Sequence, residues 1–295
     1  MANPRMKSWN IGDVKVTRLY EAEDKPDVSF LLHDATVETV KKHAWLKPHF
    51  VTDDWKIIVW FQAFALTVGN RRIMVDTCIG NGKIREYAFF TNTQTSFLED
   101  LTEAGYPPES IDTVLCTHMH LDHVGWNTRK VNGKWVPTFP NARYLFARNE
   151  FEYWKSRLPE RSDPHKSVLV EHVVDSVLPI LDAGLADFVE PNHRVSEHLW
   201  FEPTPGHTPG HVSVHIESRG QHAVISGDIF HHPVQFAEPD MPSAFCIDAQ
   251  KACLTRREFL SRWENRKAFV IGSHFCDPTA GWIERDARNW RFSTE

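Results

Sequence analysis

Residues 117–123 of the chain read Thr-His-Met-His-Leu-Asp-His, and the apolar segment Ile111–Cys116 stands directly before them. This segment predicts a strand that ends at Cys116, so the polar side chains occupy the loop that follows. Open α/β sheets generally bind ligands at the carboxyl ends of their strands. Imidazole and carboxylate groups together suit Zn²⁺, and the same set can also hold Fe, Mn or Co. We therefore predict a metal site here, with ligands His118, His120, Asp122 and His123.

Three later segments repeat this arrangement, in which a predicted strand ends at a potential metal ligand. His207 stands in the glycine-rich sequence TPGHTPGH after the strand Leu199–Pro203. Asp228 follows the strand Ala223–Ser226, and His274 follows the strand Ala268–Ile271. Each of these residues alone could be an ordinary loop residue. Their shared position at strand ends favours a common metal site.

The segments THMHLDHVG, PTPGHTPGH, SGD and GSH occur in this order, and together they resemble the metallo-β-lactamase superfamily over about residues 60–280. The resemblance implies an α/β fold, namely an αββα sandwich of two mixed β-sheets flanked by helices. It places the metals in a groove between the two sheet edges. The spacing HxHxDH is specific when the later His, Asp and His follow in this order.

The resemblance also implies a role for each ligand. His118, His120 and His207 would bind one metal, whereas Asp122, His123 and His274 would bind the second, and Asp228 would bridge the two. Asp76, at the end of the predicted strand Arg71–Val75, resembles an acid that orients a ligand histidine.

A site with two bound cations indicates a hydrolase, because the metals would activate a water molecule. Metal binding can lower the pKa of water from about 15.7 to about 7, so a bridging hydroxide would be present at neutral pH. This hydroxide would attack a carbonyl or phosphoryl centre of a small-molecule substrate, and Asp122 is the candidate that accepts and relays its proton. We expect two divalent ions, with zinc preferred over Fe, Mn or Co.

The branch of the superfamily that the chain resembles most is that of the lactonases, which includes the N-acyl homoserine lactonases, and the related organophosphate hydrolases. Those lactonases commonly have a tyrosine three residues after the bridging aspartate, where this chain has His231. His231 either bonds a substrate oxygen or supports the metal shell. We predict a lactone or ester substrate and catalytic roles for Asp122, Asp228 and His231. A phosphotriester hydrolase and a mononuclear-iron sulfur dioxygenase are the alternatives.

We predict a single domain over residues 1–295, with residues 1–60 as an N-terminal arm or lid. Within this segment, Ala35–Trp45 has helical periodicity and Asp34 is the expected N-cap. The segment is rich in aromatic residues, which favour interface cores, and we predict a homodimer on this ground alone.

Composition excludes several classes of protein. The net charge of −6 and the lack of a basic block argue against a nucleic-acid partner. The five cysteines form no C-x-x-C pair, which is typical of a reducing compartment. Residues 1–16 lack the apolar core of a signal peptide, and no run approaches the roughly 20 apolar residues of a membrane span. We therefore expect a cytoplasmic protein with no membrane association.

The remaining pattern predicts local structure around the ligands. Phe61–Val68 and Arg71–Val75 form a predicted hairpin closed by Gly69-Asn70. Thr93–Ala104 is a predicted amphipathic helix that ends at Gly105. Gly125 follows the ligand loop and suggests a close approach of two backbone segments.

Overall fold

The computed structural model describes residues 6–163 and 166–294, which form two compact units. The first unit contains the described residues up to Ala22 together with Phe61–Pro191. The second contains Glu23–Trp60 and the described residues from Asn192 onward. The prediction of a single domain remains a prediction.

The strands of the described residues, in chain order, are β1 (Met6–Ile11), β2 (Val14–Asp24), β3 (Val59–Val68), β4 (Arg71–Val75), β5 (Thr113–Leu115), β6 (Thr128–Val131), β7 (Lys134–Pro137), β8 (Arg143–Ala147), β9 (Ala186–Val189), β10 (Leu199–Pro203), β11 (Val212–Ser218), β12 (Gln221–Ile225), β13 (Phe269–Ile271), β14 (Ala280–Asp286) and β15 (Asn289–Ser293).

The α-helices are α1 (Val28–Leu31), α2 (Val37–Lys41), α3 (Phe97–Glu103), α4 (Arg148–Arg157), α5 (Glu171–Ser176), α6 (Leu178–Asp182), α7 (Val234–Ala237) and α8 (Ala249–Trp263). Short 3₁₀ turns separate several of them.

The first unit is built on a seven-stranded mixed sheet with the order β1–β2–β3–β4–β5–β8–β9. The strands β4, β5, β8 and β9 run parallel, and therefore their carboxyl ends lie at one edge of the sheet. The predicted hairpin between β3 and β4 is confirmed, since Val68 pairs with Arg71 and Gly69 has a φ of 59°. This left-handed conformation is one that glycine adopts without strain.

The predicted close approach at Gly125 is also confirmed in the first unit. A Cβ at this position would lie 1.8 Å from the carbonyl oxygen of Ile79. The Gly125 amide donates to the Cys78 carbonyl over 2.7 Å, so the turn after the ligand loop packs directly on the segment that follows β4. Any side chain here would separate the two backbones.

The predicted helix over Thr93–Ala104 begins later than expected, at Phe97. The hydroxyl of Thr93 donates to the Gly80 carbonyl, and the Thr95 amide donates to the Asn81 side chain. These tertiary hydrogen bonds hold residues 93–95 outside the helix and compete with the first helical turn.

The second unit is built on a six-stranded mixed sheet with the order β10–β11–β12–β13–β14–β15. β12 and β13 are parallel, which places the residues after both strands at the same edge. The hairpin of β14 and β15 was not among the predicted elements. Its buried side chains, such as Ile283 and Phe292, extend the core of this unit.

The first sixty residues contribute to both units. β1 and the start of β2 belong to the sheet of the first unit, and α1 and α2 belong to the second. The helix predicted over Ala35–Trp45 is shorter, Val37–Lys41, and its N-cap is Thr36 and not Asp34, because the Thr36 hydroxyl accepts from the Thr39 amide. Residues 1–5 lie outside the described residues, and the lid role remains a prediction.

No helix within the described residues is both long enough and apolar enough to cross a bilayer.

Candidate metal-binding site

The ligand loop of the first unit follows β5 and is held by the buried Asp76, which directly follows β4. The Thr117 amide donates to Asp76 Oδ1 and the Thr117 hydroxyl donates to Oδ2, each over 2.8 Å. Asp76 has a φ of 59° and its own amide donates to the Leu115 carbonyl over 2.9 Å. The carboxylate therefore ties the ends of two parallel strands together.

Asp76 also sets the orientation of His123. Oδ2 of Asp76 accepts a hydrogen bond from His123 Nδ1 over 2.9 Å, and both side chains are buried. The proton on Nδ1 leaves the lone pair of Nε2 available to a cation. This contact matches the role that the family resemblance implied for Asp76.

His118 and His120 bring two ring nitrogens together. His118 Nε2 lies 3.1 Å from His120 Nδ1, while His118 Nδ1 donates to the Thr117 hydroxyl over 3.1 Å. Asp122 Oδ2 lies 3.7 Å from His123 Nε2. Within this loop, the ligand atoms of His118 and His120 are close enough to share one ion. The ligand atoms of Asp122 and His123 are close enough to share another.

The second unit also places its predicted ligands at strand ends. His207 lies in the loop after β10, Asp228 in the turn after β12, and His274 in the loop after β13. All three are buried. Gly206 allows this packing because its φ is 135° and a Cβ there would lie 2.3 Å from the Ala252 amide.

The carboxylate of Asp228 is the centre of this second group. Nε2 of His207 and Nε2 of His231 each lie 3.2 Å from Asp228 Oδ2, and His274 Nε2 lies 3.1 Å from Oδ1. His207 and His274 therefore both direct Nε2 at one carboxylate, and imidazole nitrogens with a carboxylate oxygen are donors that suit a divalent cation.

The other ring nitrogens of this group have different partners. His274 Nδ1 donates to the Trp60 carbonyl over 3.0 Å, and the Trp60 amide donates to the His274 carbonyl over 3.1 Å. His207 Nδ1 lies 3.6 Å from Cys246 Sγ. His231 differs, because its Nδ1 is buried without a hydrogen-bond partner among the described residues.

The electrostatics of the second group favour one positive charge beside Asp228. Burial disfavours the protonated form of His207, but the Asp228 carboxylate overcomes this and raises the pKa of His207 to about 9. Burial lowers the pKa of His231 to about 3, and the neighbouring charge of His207 adds to this effect although Asp228 opposes it. The site therefore stabilises a cation while His231 stays neutral at pH 7.

His211 and His215 of the second unit lie outside the two groups of potential metal ligands. His211 Nε2 accepts from the Asp228 amide over 2.8 Å and its Nδ1 contacts the Thr204 hydroxyl over 2.8 Å. His211 therefore supports the turn that carries Asp228. His215 contacts His222 and Glu202, over 2.8 Å and 2.6 Å.

Sequence reasoning missed several residues that hold the ligands. Glu150 accepts from the amide of Met119 over 3.0 Å, within the ligand loop. Cys246 and the Trp60 carbonyl contact His207 and His274 through their Nδ1 atoms. No local pattern marks these three partners, because each is distant in the chain from the residue it holds.

Relatives and solved structures provide a separate line of evidence. A sequence model described as the metallo-beta-lactamase superfamily matches residues 62–274. The N-acyl homoserine lactonase AiiA of Bacillus thuringiensis subsp. kurstaki is 25% identical over 179 residues, which cover 57% of this chain and 61% of that relative. The chain thus matches about three fifths of the length of this curated relative.

Two solved structures have a similar fold. One is the hydrolase AbOPH of the beta-lactamase superfamily, with a TM-score of 0.81, 24% identity, and coverage of 99% of this chain and 98% of that one. The other is AidC, a dizinc quorum-quenching lactonase in complex with a product, with a TM-score of 0.79, 23% identity, and coverage of 98% and 97%. The predicted α/β fold class, with two mixed sheets and helices, is confirmed. On the family match, which includes all seven predicted ligands, the chain belongs to the metallo-beta-lactamase superfamily.

Proposed function

We propose that this protein is a binuclear metal-dependent hydrolase that cleaves a lactone or another ester-type carbonyl compound. His118, His120 and His207 would hold one ion, Asp122, His123 and His274 the other, and Asp228 would bridge them. When bound, two divalent ions, most simply zinc, would supply an activated water and polarise the bond under attack.

One observation carries this proposal. In four of the five proposed ligand histidines, the ring nitrogen Nδ1 contacts a polar partner. In each of these residues, Nδ1 faces a polar partner within its own unit, so Nε2 remains available as a ligand atom. Histidines that bind metals characteristically bond a second group through the other ring nitrogen. The four residues are His118, His123, His207 and His274.

The protein's own groups have distinct tasks in the proposed reaction. The Asp122 carboxylate is 14% exposed, more than the 1% of the neighbouring His123 side chain, and it can therefore pass a proton to solvent. His231 is neutral, and its Nδ1 has no hydrogen-bond partner among the described residues. Its Nε2 faces Asp228, so the ring would donate to a substrate oxygen in the tautomer that carries its proton on Nδ1. We assign His231 this role in place of support for the metal shell.

The choice of a lactone or ester rests on the relatives. The curated relative is an N-acyl homoserine lactonase, and AidC is a lactonase whose solved structure is a complex with the product N-hexanoyl-L-homoserine. His231 stands where the lactonase branch commonly has tyrosine. The acyl homoserine lactones are therefore one member of the proposed substrate class.

The first experiment is metal analysis by plasma mass spectrometry of freshly purified protein, followed by a hydrolysis panel. The panel contains γ- and δ-lactones, aryl esters, a phosphotriester, a glutathione thioester and a β-lactam. We expect two metal ions per chain and turnover of lactones or esters. Turnover of the phosphotriester alone would select the organophosphate hydrolase alternative. One iron per chain, with no hydrolysis but oxygen uptake on a persulfide, would replace the proposal with a sulfur dioxygenase.

A further inference from the structure

A buried carboxylate on α4 reaches into the ligand loop of the first unit. Glu150 is 1% exposed, and its Oε1 accepts from the Met119 amide over 3.0 Å. The same oxygen accepts from the indole N–H of Trp154 over 2.8 Å. Glu150 and Trp154 are four residues apart on the helix, so they lie on one face.

The amide of Met119 stands between two proposed ligands, His118 and His120. This part of the loop is not in a strand or a helix, and so it has no regular ladder to fix its peptide planes. A charged acceptor forms stronger and shorter hydrogen bonds than a neutral one. The contact with Glu150 therefore restrains the backbone that carries both imidazoles.

Trp154 restrains the side chain of His120 directly. The two ring centroids are 5.6 Å apart and the rings meet at 74°, an edge-to-face geometry. His120 is the more solvent-accessible of the two histidines, whereas His118 is buried. Because the Trp154 indole packs against one side of the His120 ring, it limits the directions in which the His120 nitrogens can point.

A third side chain keeps Trp154 in place. His172 packs on the indole with centroids 4.6 Å apart at 87°, and it is buried. Burial lowers the pKa of His172 to about 3, with a further contribution from the charge of Arg85, so this imidazole is neutral at pH 7. Trp154 is thus fixed by the Glu150 carboxylate and by an uncharged ring.

We propose that Glu150 and Trp154 are positioning residues that set the loop around Met119 and the ring of His120 for metal binding. The inference rests on the proposed metal-dependent function. It predicts that loss of either residue weakens the binding of the ion held by His120 without removing any ligand. Groups that orient metal ligands typically contribute 10- to 100-fold in affinity.

The test compares Glu150→Ala, Glu150→Gln and Trp154→Phe with the wild-type protein. The control is Glu152→Gln, since Glu152 lies on the same helix with a side chain that is 57% exposed. Each variant is stripped of metal and titrated with Co²⁺ against a competing chelator, while the visible spectrum of bound Co²⁺ is recorded. Melting of the stripped proteins is measured in parallel. None of these measurements requires a substrate.

We expect Glu150→Ala to weaken the affinity for one Co²⁺ by about 10-fold or more and to change its spectrum. Glu150→Gln keeps an oxygen that can accept both hydrogen bonds but loses the charge, so it should restore part of the affinity. Trp154→Phe keeps an aromatic ring beside His120 but loses the indole N–H donor, so an intermediate loss of Co²⁺ affinity is expected. Glu152→Gln should match the wild type.

Wild-type affinity and spectrum in both Glu150→Ala and Trp154→Phe would overturn the inference. So would an equal loss in Glu150→Ala and Glu150→Gln, because the hydrogen-bond acceptor would then not be what matters. If Glu150→Ala does not fold, Trp154→Phe alone decides, and wild-type behaviour of that variant overturns the inference. A wild-type protein that binds no Co²⁺ at all would instead refute the proposed function.

Discussion

Asp76→Asn should weaken metal binding although Asp76 is not a proposed ligand. Asp76 Oδ1 accepts from the Thr117 amide, and Oδ2 accepts from the Thr117 hydroxyl and from His123 Nδ1, over 2.8, 2.8 and 2.9 Å. Asparagine offers only one oxygen. The Thr117 amide can only donate, so the oxygen must stay at the Oδ1 position and the new NH₂ group must face His123. His123 Nδ1 then has to accept, and its proton moves to Nε2, which blocks that ligand atom.

The size of this effect follows from the tautomer change. Groups that orient metal-binding histidines contribute about 10- to 100-fold in affinity, which corresponds to about 1.4–2.7 kcal/mol. Hydrogen bonds to a charged carboxylate also become hydrogen bonds to a neutral amide, which should lower the free energy of unfolding of the stripped protein by about 1 kcal/mol. Asparagine tolerates the left-handed φ of 59° at this position, and therefore backbone strain adds little.

Competition with a chromophoric chelator measures the metal affinity, and denaturant unfolding measures the stability of the stripped protein. The matched control is Asp100→Asn, because Asp100 on α3 is 9% exposed and accepts from the hydroxyl of Ser96, the residue before that helix. The control should bind metal like the wild type. Two ions bound to Asp76→Asn with wild-type affinity would refute the argument about the His123 tautomer.

Four further predictions concern other parts of the molecule. Asp228→Asn should lower both metal content and turnover, whereas the control Asp240→Asn, at an exposed carboxylate, should change neither. Mass spectrometry measures the metal content and kinetic assays measure the turnover. Two bound ions with full activity in Asp228→Asn would exclude the bridging role. His231→Ala should keep two ions and lower kcat by about 100-fold, which is the effect of losing one oxyanion donor. Loss of metal with no separate effect on kcat would instead indicate that His231 supports the metal ligands. Burial lowers the pKa of Lys83 to about 7 although Asp175 opposes this. Since the unfolded chain keeps that proton up to about pH 10.4, the wild-type protein should gain stability as the pH rises from about 7 to 10. Thermal melting at several pH values should show that Lys83→Met lacks this gain, and an equal gain in the variant would contradict the assignment. Light scattering should show a homodimer, and a monomer at working concentration would remove that prediction.

The ligand pattern could be predicted from sequence because it depends on short spacing and on the position of strand ends. An apolar run followed by HxHxDH predicted a polar loop after β5, and the structure has β5 at Thr113–Leu115. The Gly69-Asn70 hairpin and the close approach at Gly125 were predicted for the same reason, since turn chemistry is local. The cytoplasmic location and the identity of the metals remain predictions.

The boundaries of α3 and α2 could not be predicted in this way. Thr93 and Thr95 look like the start of a helix, but their side-chain and backbone groups bond to Gly80 and Asn81. The hairpin of β14 and β15 is stabilised by burial of side chains such as Phe292 in the core of the second unit. Tertiary contacts overrode local preference in each case.

The sequence by itself determined which residues are candidate metal ligands, because residue type and strand-end position are encoded within a few neighbouring residues. Only the tertiary structure decided which ring nitrogen is available in His118, His123, His207 and His274. His123 depends on Asp76, 47 positions away in the chain, and His274 depends on the Trp60 carbonyl, 214 positions away. A tautomer is set by a hydrogen bond to the opposite ring nitrogen, and that partner is brought into contact only when the chain folds.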